Sequence, residues 1–365
     1  MKRDYVVKVK PVADLCNLKC KDCSRCITYE ADLAKKYVMS SEMVDELVVK
    51  SLAYCNGGNL RFEFEGGEPL LASLTYFKYF VGCVEENNLN GTKVSYQIVT
   101  NATVLTQEHC QFFKDYNFEV GVNSDGSKQV HNIMCRDRFG RPTFGLLQKG
   151  IKLLTQNGIE FFAVCKVNKT TLKFLKKSYE FYKKIGATRL DLRLSLMNDW
   201  DNPQSEKYAL NTQEYFDFHR QLLDLYLDDK KRGSKISIKY FDDLIARVKG
   251  EKVKCACGGE GYCECQWTVD GDGSMYPCSF YMDKDRLLGN VMDVDLEKMY
   301  ANEVMQKFVS ASYKHHGDCF DCSVFDLCKG GCRRFCDRDG DNRLEKNVYC
   351  DGIKKFLEYL QTAVL

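Results

Sequence analysis

The sequence lacks three features that would each assign the chain to a particular class of protein. Its charges nearly balance, with 53 Lys and Arg against 51 Asp and Glu and a net charge of +2, so the composition does not indicate binding to nucleic acid or to an anionic membrane. No apolar run approaches the roughly 20 residues that a membrane-spanning helix needs. The first residues lead into a predicted strand without the pattern of a signal peptide. We therefore expect a cytoplasmic protein that binds neither nucleic acid nor membrane.

Cysteine, in contrast, is abundant, with 20 residues in a chain of 365. In a secreted protein this number would indicate disulfide bonds, but disulfide-rich chains are usually short. In a long chain without a signal peptide, metal or cluster binding explains the cysteines better. Exposed iron–sulfur clusters are oxygen-sensitive, so we expect an anaerobic setting.

Hydrophobic periodicity predicts an α/β fold. Six segments read as strands followed by helices or polar loops, and the length predicts one large α/β domain with a smaller appendage. Six βα units are too few for a closed eight-fold barrel. The predicted strands are residues 5–10, 60–64, 94–99, 118–122, 159–167 and 189–194, and a later alternating run, 235–241, reads as a further strand.

Three cysteines, Cys16, Cys20 and Cys23, follow the first predicted strand with the spacing C-x3-C-x2-C. A [4Fe–4S] cluster usually takes four thiolates, so three in one short loop leave one iron open to a ligand that is not protein. The spacing alone also fits a zinc site.

Polar residues follow the second and fourth predicted strands. Glu65-Gly66-Gly67-Glu68-Pro69 contains glycines that let the backbone approach a ligand and a carboxylate that can accept from an ammonium group, although the stretch also fits an ordinary turn. Asn123 and Ser124 end the fourth strand, where a turn role is equally consistent. Parallel sheets place their active sites at the carboxyl ends of the strands.

The cysteine loop and the Gly-Gly-Glu-Pro segment resemble the radical S-adenosylmethionine (SAM) enzymes. This resemblance implies an open, partial (β/α)6 barrel of the TIM type, in which SAM binds the open iron of the cluster and is cleaved by one electron to methionine and a 5′-deoxyadenosyl radical. It also implies site residues by position: Cys16, Cys20 and Cys23 for the cluster, Gly66, Gly67 and Glu68 for the amino group of SAM, and Asn123 and Ser124 for its ribose.

The last third of the chain holds eleven cysteines from Cys255 onward, too many for core filling and enough for two four-thiolate clusters. Structural zinc is the rival interpretation from spacing. The run Cys-x2-Cys-x5-Cys-x3-Cys resembles the SPASM extension of radical SAM enzymes that modify peptides. That resemblance implies a first auxiliary cluster on Cys257, Cys263, Cys278 and Cys332 and a second on Cys319, Cys322, Cys328 and Cys350. It leaves Cys26, Cys255, Cys265 and Cys336 without a clear role.

Over nearly its whole length the chain is similar to the anaerobic sulfatase-maturating enzymes, most visibly at residues 266–281 and 328–334. The implied organisation is a barrel at 1–234, a connecting segment at 235–254, and a SPASM domain with a C-terminal helix at 255–365. The implied partners are a peptide or unfolded protein substrate and an external one-electron donor such as flavodoxin or ferredoxin.

The implied reaction makes formylglycine. The deoxyadenosyl radical takes a hydrogen atom from Cβ of a cysteine or serine, a base removes the thiol or hydroxyl proton, an electron leaves through an auxiliary cluster, and hydrolysis gives the aldehyde. The matching stretch Tyr240-Phe241-Asp242 implies Asp242 as the base, with Asp243 as the weaker candidate.

Three positions depart from the family pattern. Asp22 stands where an aromatic residue is usual, Glu65 where maturases commonly have glutamine, and Ala102 where the family has glycine. The segment 67–71 is more typical of SPASM enzymes that act on ribosomal peptides. The alternative is therefore a maturase that forms thioether, carbon–carbon or epimerised products, and a third possibility is a non-catalytic iron–sulfur or zinc protein.

Overall fold

A computed structural model describes residues 1–23, 36–196, 205–253, 255, 257, 259–336 and 345–365, and the backbone of residues 27–28. The strands are β1 (Tyr5–Val9), β2 (Leu15–Cys16), β3 (Ile27–Thr28), β4 (Asn59–Phe64), β5 (Lys93–Thr100), β6 (Glu119–Asn123), β7 (Phe161–Val167), β8 (Leu190–Leu194), β9 (Trp267–Val269), β10 (Ser274–Tyr276) and β11 (Gly289–Asn290). The helices are α1 (Ser41–Cys55), α2 (Ser73–Asn87), α3 (Gln107–Asp115), α4 (Lys128–Met134), α5 (Phe144–Gln156), α6 (Lys169–Lys173), α7 (Leu175–Lys184), α8 (Ser205–Tyr208), α9 (Thr212–Lys231), α10 (Lys239–Val248), α11 (Leu296–Met299), α12 (Glu303–Ser312), α13 (Phe325–Cys328) and α14 (Cys350–Val364).

One nine-stranded sheet organises the molecule, in the order β11-β10-β9-β1-β4-β5-β6-β7-β8. The strands β1 and β4 to β8 are parallel neighbours, which confirms the six predicted strands and the open, partial barrel. Strand β9 pairs in parallel with β1, and β10 and β11 continue antiparallel. The cysteine-rich C-terminal third therefore extends the sheet of the barrel beside the strand that precedes the first cysteines.

Alternation along the strands sorts apolar and polar side chains onto two faces. On β4, Phe62 and Phe64 are at most 1% exposed. Both make edge-to-face contacts with Phe80 of α2, at ring-centroid distances of 4.9 and 5.0 Å. Burial of each such side chain contributes about 1.5–3 kcal/mol. This aromatic layer fixes where β4 ends and therefore where Glu65 and Glu68 lie.

The opposite face of the sheet carries charged side chains that pair across strands. Arg61 of β4 donates to Glu119 of β6 and to Gln97 of β5 at 2.5 Å. Arg189, just before β8, donates to Glu119 at 2.9 Å and to Asp191 at 2.7 Å. The inner surface of the partial barrel is therefore polar, and its charges are paired.

Two helix boundaries predicted from sequence are confirmed. Ser40 caps α1 by accepting from the Met43 backbone N–H. Helix α5 ends at Gln156, and Asn157 caps it before Gly158, which has φ of +68°. In the described part of the chain, no helix combines the length and apolar character needed to cross a membrane.

The prediction of a strand at residues 235–241 is wrong. Only Ser237 forms a bridge, in parallel with Arg189, and α10 begins at Lys239. Apolar residues also recur at helical spacing in this region, at Phe241, Leu244 and Val248. A helix places these side chains on one face and buries that face against the core, so the segment forms a helix.

Candidate active site

The cysteine loop begins where the sequence predicts, directly after β1. Cys16 ends the short strand β2, and the backbone carbonyls of Ala13 and Leu15 accept from the N–H groups of Gly67 and Glu68, at 3.0 and 2.8 Å. The first cysteine is therefore attached to the segment that follows β4. Cys16, Cys20 and Cys23 are all partly exposed.

Close backbone contact explains the glycines that follow β4. A Cβ on Gly66 would lie 2.5 Å from the Ala13 carbonyl oxygen, and one on Gly67 would lie 2.1 Å from that of Leu15. Gly66 also has φ of +113°, which side-chain-bearing residues rarely adopt. Only glycine at these two positions lets the cysteine loop and the β4 turn approach this closely.

Glu68 is fully buried at the centre of this turn. One carboxylate oxygen accepts from Leu70 N–H and from Thr100 Oγ1, and the other accepts from Asn101 N–H. Burial raises the pKa of Glu68 to about 7, although these hydrogen bonds act in the opposite direction. Asn101 also donates to Asn17 at 2.9 Å, so the carboxylate and the cysteine loop share one polar network.

The segment after α4 forms the other support of the cysteine loop, which the sequence did not predict. Lys19 N–H donates to Arg136 O at 2.7 Å, and Lys21 N–H donates to Met134 O at 2.9 Å. These bonds bring the Cys135 thiol to 2.7 Å from Cys20 Sγ. No spacing pattern includes Cys135, so only the fold reveals this neighbour.

Asp22 occupies a buried pocket rather than a surface position. Its Oδ2 accepts from Asn168 Nδ2 and Ser195 Oγ, both at 2.8 Å. Lys166 Nζ donates to its backbone oxygen at 2.8 Å and lies 3.5 Å from Oδ1. Where the family has an aromatic side chain, this chain therefore has a carboxylate that ties the cysteine loop to the ends of β7 and β8.

Asn123 and Ser124 lie at the carboxyl end of β6, as predicted. Ser124 Oγ accepts from Gly126 N–H at 3.2 Å, and its carbonyl oxygen accepts from Tyr182 OH at 2.6 Å. Ser124 is 3% exposed, whereas Asn123 is partly exposed. The polar atoms of Ser124 already have hydrogen-bond partners within the fold, so Asn123 is the more accessible of the two residues for a ligand.

The first predicted set of auxiliary ligands comes together in the structure. Burial and the nearby thiols of Cys257, Cys278 and Cys263 together raise the pKa of Cys332 to about 12. Cys257, the most exposed of the four, lies beside the Lys8 ammonium, which lowers the pKa of that thiol against the effect of burial. Four converging thiols fit the donor set of a [4Fe–4S] cluster.

The second predicted set lines one cavity of about 250 Å³. Burial raises the pKa of Cys328 to about 11, and the thiols of Cys350, Cys319 and Cys322 act in the same direction. None of the cysteines in the described ranges forms a disulfide. Cys336 also lines this cavity, and the four predicted thiols on its wall likewise fit the donor set of a [4Fe–4S] cluster.

The remaining cysteines of this region have other contacts. Cys265 Sγ lies 3.1 Å from Tyr5 OH, which also donates to the Cys265 carbonyl, so it joins β1 to the segment before β9. Cys336 is buried and its thiol faces the carbonyls of Gly330 and Cys332. The backbone N–H of Cys255 donates to Glu260 at 2.8 Å. Cys26 lies outside the described residues.

Asp242 does not lie with the residues above. It is in the first turn of α10, just after Ser237, which pairs with Arg189 at the amino end of β8. Its Oδ2 accepts from Ser237 Oγ at 2.6 Å, and its Oδ1 accepts from Tyr226 OH of α9. Asp243 forms an ion pair with Lys239 at 2.7 Å. The cysteine loop and Glu68 are at the carboxyl ends of the strands, so the structure does not bring Asp242 to them.

Two family profiles match separate parts of the chain. The profile of a 4Fe-4S single cluster domain matches residues 7–136, which include the cysteine loop and the Glu68 turn. The profile of an iron-sulfur cluster-binding domain, SPASM, matches residues 257–323, which include five of the eight predicted auxiliary ligands.

The chain also aligns over nearly its whole length with known proteins. The chain is 34% identical over 352 residues to a cysteine-type anaerobic sulfatase-maturating enzyme of Clostridium perfringens (strain 13 / Type A), covering 96% of this chain and 95% of the relative. It is 25% identical to a serine-type enzyme of Bacteroides thetaiotaomicron, covering 97% and 89%. A solved structure of native anSMEcpe with bound AdoMet and Cp18Cys peptide superimposes with a TM-score of 0.92 at 31% identity, over 99% of this chain and 98% of that one. The chain belongs to the family of anaerobic sulfatase-maturating enzymes.

Proposed function

We propose that this chain is a radical SAM enzyme that converts a cysteine of a sulfatase peptide to formylglycine. The observation that carries the proposal is that three sets of thiols lie in one fold: the three of the cysteine loop, which is joined to the Glu68 turn, and the two sets of four in the C-terminal third. The sequence identities support cysteine as the substrate residue, because the chain is 34% identical to a cysteine-type relative and 25% identical to a serine-type relative.

Cys16, Cys20 and Cys23 are proposed to hold the cluster that binds SAM. Such a cluster supplies an open iron for SAM and the electron that cleaves it to a 5′-deoxyadenosyl radical. Glu68 accepts the ammonium group of SAM, and Gly66 and Gly67 allow the backbone to lie close to it. The full burial of Glu68 supports this role, because a buried carboxylate favours a cationic partner. Asn123 and Ser124 remain the proposed ribose contacts.

The auxiliary clusters are proposed to be held by the two converging thiol sets already described. Lys8 lies near two thiols of the first set, where its charge favours the thiolate forms of Cys257 and Cys278. Backbone turns at Gly330 and Gly331, both with positive φ, separate Cys328 from Cys332 and so direct these two neighbours to different clusters.

The proposed partners are a peptide or unfolded protein substrate and an external one-electron donor such as flavodoxin or ferredoxin. An anSMEcpe structure that holds a peptide supports the first by similarity. The proposed location is the cytoplasm of a cell in an anaerobic setting, which suits oxygen-sensitive clusters.

The test uses anaerobically reconstituted, reduced protein with SAM and a peptide that contains Cys-x-Pro-x-Arg. A matched peptide with serine in place of the cysteine is the comparison. Mass spectrometry should detect the aldehyde form of the cysteine peptide at a higher rate than that of the serine peptide. An unchanged cysteine peptide would contradict the proposal, and a thioether or epimerised product would instead support the ribosomal-peptide alternative.

A further inference from the structure

Glu65 is a carboxylate at the carboxyl end of β4 that takes part in none of the SAM or cluster contacts proposed above. It directly follows Phe64, and its N–H donates to Val9 O at 2.9 Å. It shares the polar face of the sheet with Arg61 and Glu63, because residues two apart on a strand point the same way. Its side chain is 12% exposed, so it is largely buried but still reachable from the inside of the barrel.

The surroundings of Glu65 keep it ionised. Burial alone would raise the pKa of Glu65, but the nearby cations of Lys8 and Arg193 and a hydrogen bond from Ser279 outweigh burial and lower it. Arg193 Nη2 lies 4.0 Å from Glu65 Oε2. A carboxylate in this setting is in its proton-accepting form at neutral pH.

The same contacts place Glu65 next to the first auxiliary thiol set. Ser279, its hydrogen-bond donor, directly follows Cys278 in the chain. Lys8 interacts with Glu65 and also with the Cys278 thiol. Glu65 is also three residues from Glu68 in the turn that holds the cysteine loop. It therefore lies between the residues proposed to bind SAM and those proposed to bind the first auxiliary cluster.

Four other carboxylates near this end of the sheet or in the matching motif have partners of their own. Glu68 is the proposed acceptor of the SAM ammonium. Asp22 is enclosed by Asn168, Ser195 and Lys166, and the buried Asp125 accepts from the Cys135 thiol at 2.8 Å. Asp242 is at the amino end of β8, where it accepts from two hydroxyl groups.

We propose that Glu65, rather than Asp242, is the base that accepts the thiol proton of the substrate cysteine. The inference rests on the proposed function. The Cβ–H bond breaks when the 5′-deoxyadenosyl radical takes the hydrogen atom, and loss of that atom acidifies the thiol. The S–H proton passes to a Glu65 oxygen, and the remaining electron would be taken up by an oxidised [4Fe–4S] cluster, which the first auxiliary thiol set would hold. A C=S bond forms, water adds to it, and hydrogen sulfide leaves to give the aldehyde.

Four variants of the full-length, reconstituted enzyme test this assignment. Glu65→Gln removes the base and Glu65→Asp keeps a carboxylate on a shorter side chain. Glu63→Gln removes a carboxylate two residues earlier on the same face, and Asp242→Asn tests the base that the resemblance implied. Each is assayed for 5′-deoxyadenosine and for formylglycine from the Cys-x-Pro-x-Arg peptide, with iron content and peptide affinity measured separately.

In Glu65→Gln we expect 5′-deoxyadenosine to form at the wild-type rate while formylglycine falls about 100-fold, the contribution typical of a positioned base. Iron content and peptide affinity should be unchanged, Glu65→Asp should recover part of the product, and Glu63→Gln and Asp242→Asn should make it normally. Normal product from Glu65→Gln, or loss of product with retained deoxyadenosine in Asp242→Asn, would overturn the proposal. Absence of deoxyadenosine from the wild-type enzyme would instead refute the proposed function, and the assignment of Glu65 with it.

Discussion

The Sγ atom of Cys135 lies 2.7 Å from the Sγ atom of Cys20. The hydrogen bond with Cys20 and burial raise the pKa of Cys135 well above its usual value, so this thiol keeps its proton. A cysteine that ligates iron is a thiolate and accepts hydrogen bonds. The Cys135 thiol also donates to Asp125 Oδ2 at 2.8 Å, so its one proton is shared between this carboxylate and the cluster ligand Cys20.

Hydrogen bonds to the sulfurs of a cluster help to set its reduction potential. Removing the donor in Cys135→Ala should therefore make the potential of the SAM-binding cluster more negative, and Cys135→Ser should restore part of the difference. An anaerobic redox titration that follows the electron paramagnetic resonance signal altered by SAM measures this shift. Cys110→Ala, which removes a buried thiol from α3, is the control. Equal potentials in Cys135→Ala and the wild type would contradict the expectation.

Asp22 should contribute to stability as well as to the position of the cysteine loop. Asp22→Ala leaves the buried donors of Asn168 and Ser195 without their acceptor, and we expect the free energy of unfolding to fall by about 1–3 kcal/mol. Asp22→Asn, which keeps one acceptor oxygen, should cost less. Denaturation of the reconstituted enzyme measures both, with the exposed Asp115→Ala as control. An Asp22→Ala variant as stable as this control would show that the contacts contribute nothing.

The protonation of Glu68 should make SAM binding depend on pH. Its pKa of about 7 means that the free site becomes protonated as the pH falls through 7, and a neutral carboxyl group attracts the SAM ammonium poorly. The ionised fraction changes from about one half at pH 7 to about one eleventh at pH 6, so SAM affinity should fall about fivefold. Equilibrium dialysis under anaerobic conditions measures this change. Glu68→Gln should bind more weakly and without this dependence, and a flat wild-type profile would argue against Glu68 as the ammonium acceptor.

Cys350 and Cys336 both line the second auxiliary cavity but have different predicted roles. Three clusters require about twelve irons per chain, and loss of one leaves about eight. Cys350→Ala should therefore retain about eight irons after reconstitution, whereas Cys336→Ala should retain about twelve. Iron and sulfide analysis distinguishes the two, and equal iron contents would remove Cys350 from the ligand set.

Much of this fold is readable in the sequence because strong periodicities coincide with spaced motifs. The strand before Cys16 and the strand before Glu65 both alternate clearly, and each ends in residues whose chemistry suits the carboxyl edge of a parallel sheet. Residues 235–241 were misread as a strand because Ile236, Ile238 and Phe241 fit a strand as well as the approach to a helix. Only the position of β8 and the apolar face of α10 decide between the two.

Contacts between distant segments could not be predicted in the same way. Cys135 reaches Cys20 only because Lys19 and Lys21 pair with the backbone on either side of it. The motif around Asp242 matched the family, but a motif does not say at which end of the barrel a side chain lies. Conversely, the sequence shows Glu65 only as a departure from glutamine, and its proposed role depends on Ser279, more than two hundred residues away.

The most direct measurement follows a hydrogen atom. The substrate is a Cys-x-Pro-x-Arg peptide in which deuterium replaces both hydrogens on Cβ of the cysteine. It is incubated anaerobically with the reduced, reconstituted enzyme and SAM, and the 5′-deoxyadenosine is analysed by mass spectrometry. We expect deuterium in the deoxyadenosine together with a peptide aldehyde that retains one deuterium. Deoxyadenosine without deuterium, or none at all from protein with all three clusters in place, would contradict the claim that this chain abstracts a hydrogen atom from a peptide cysteine.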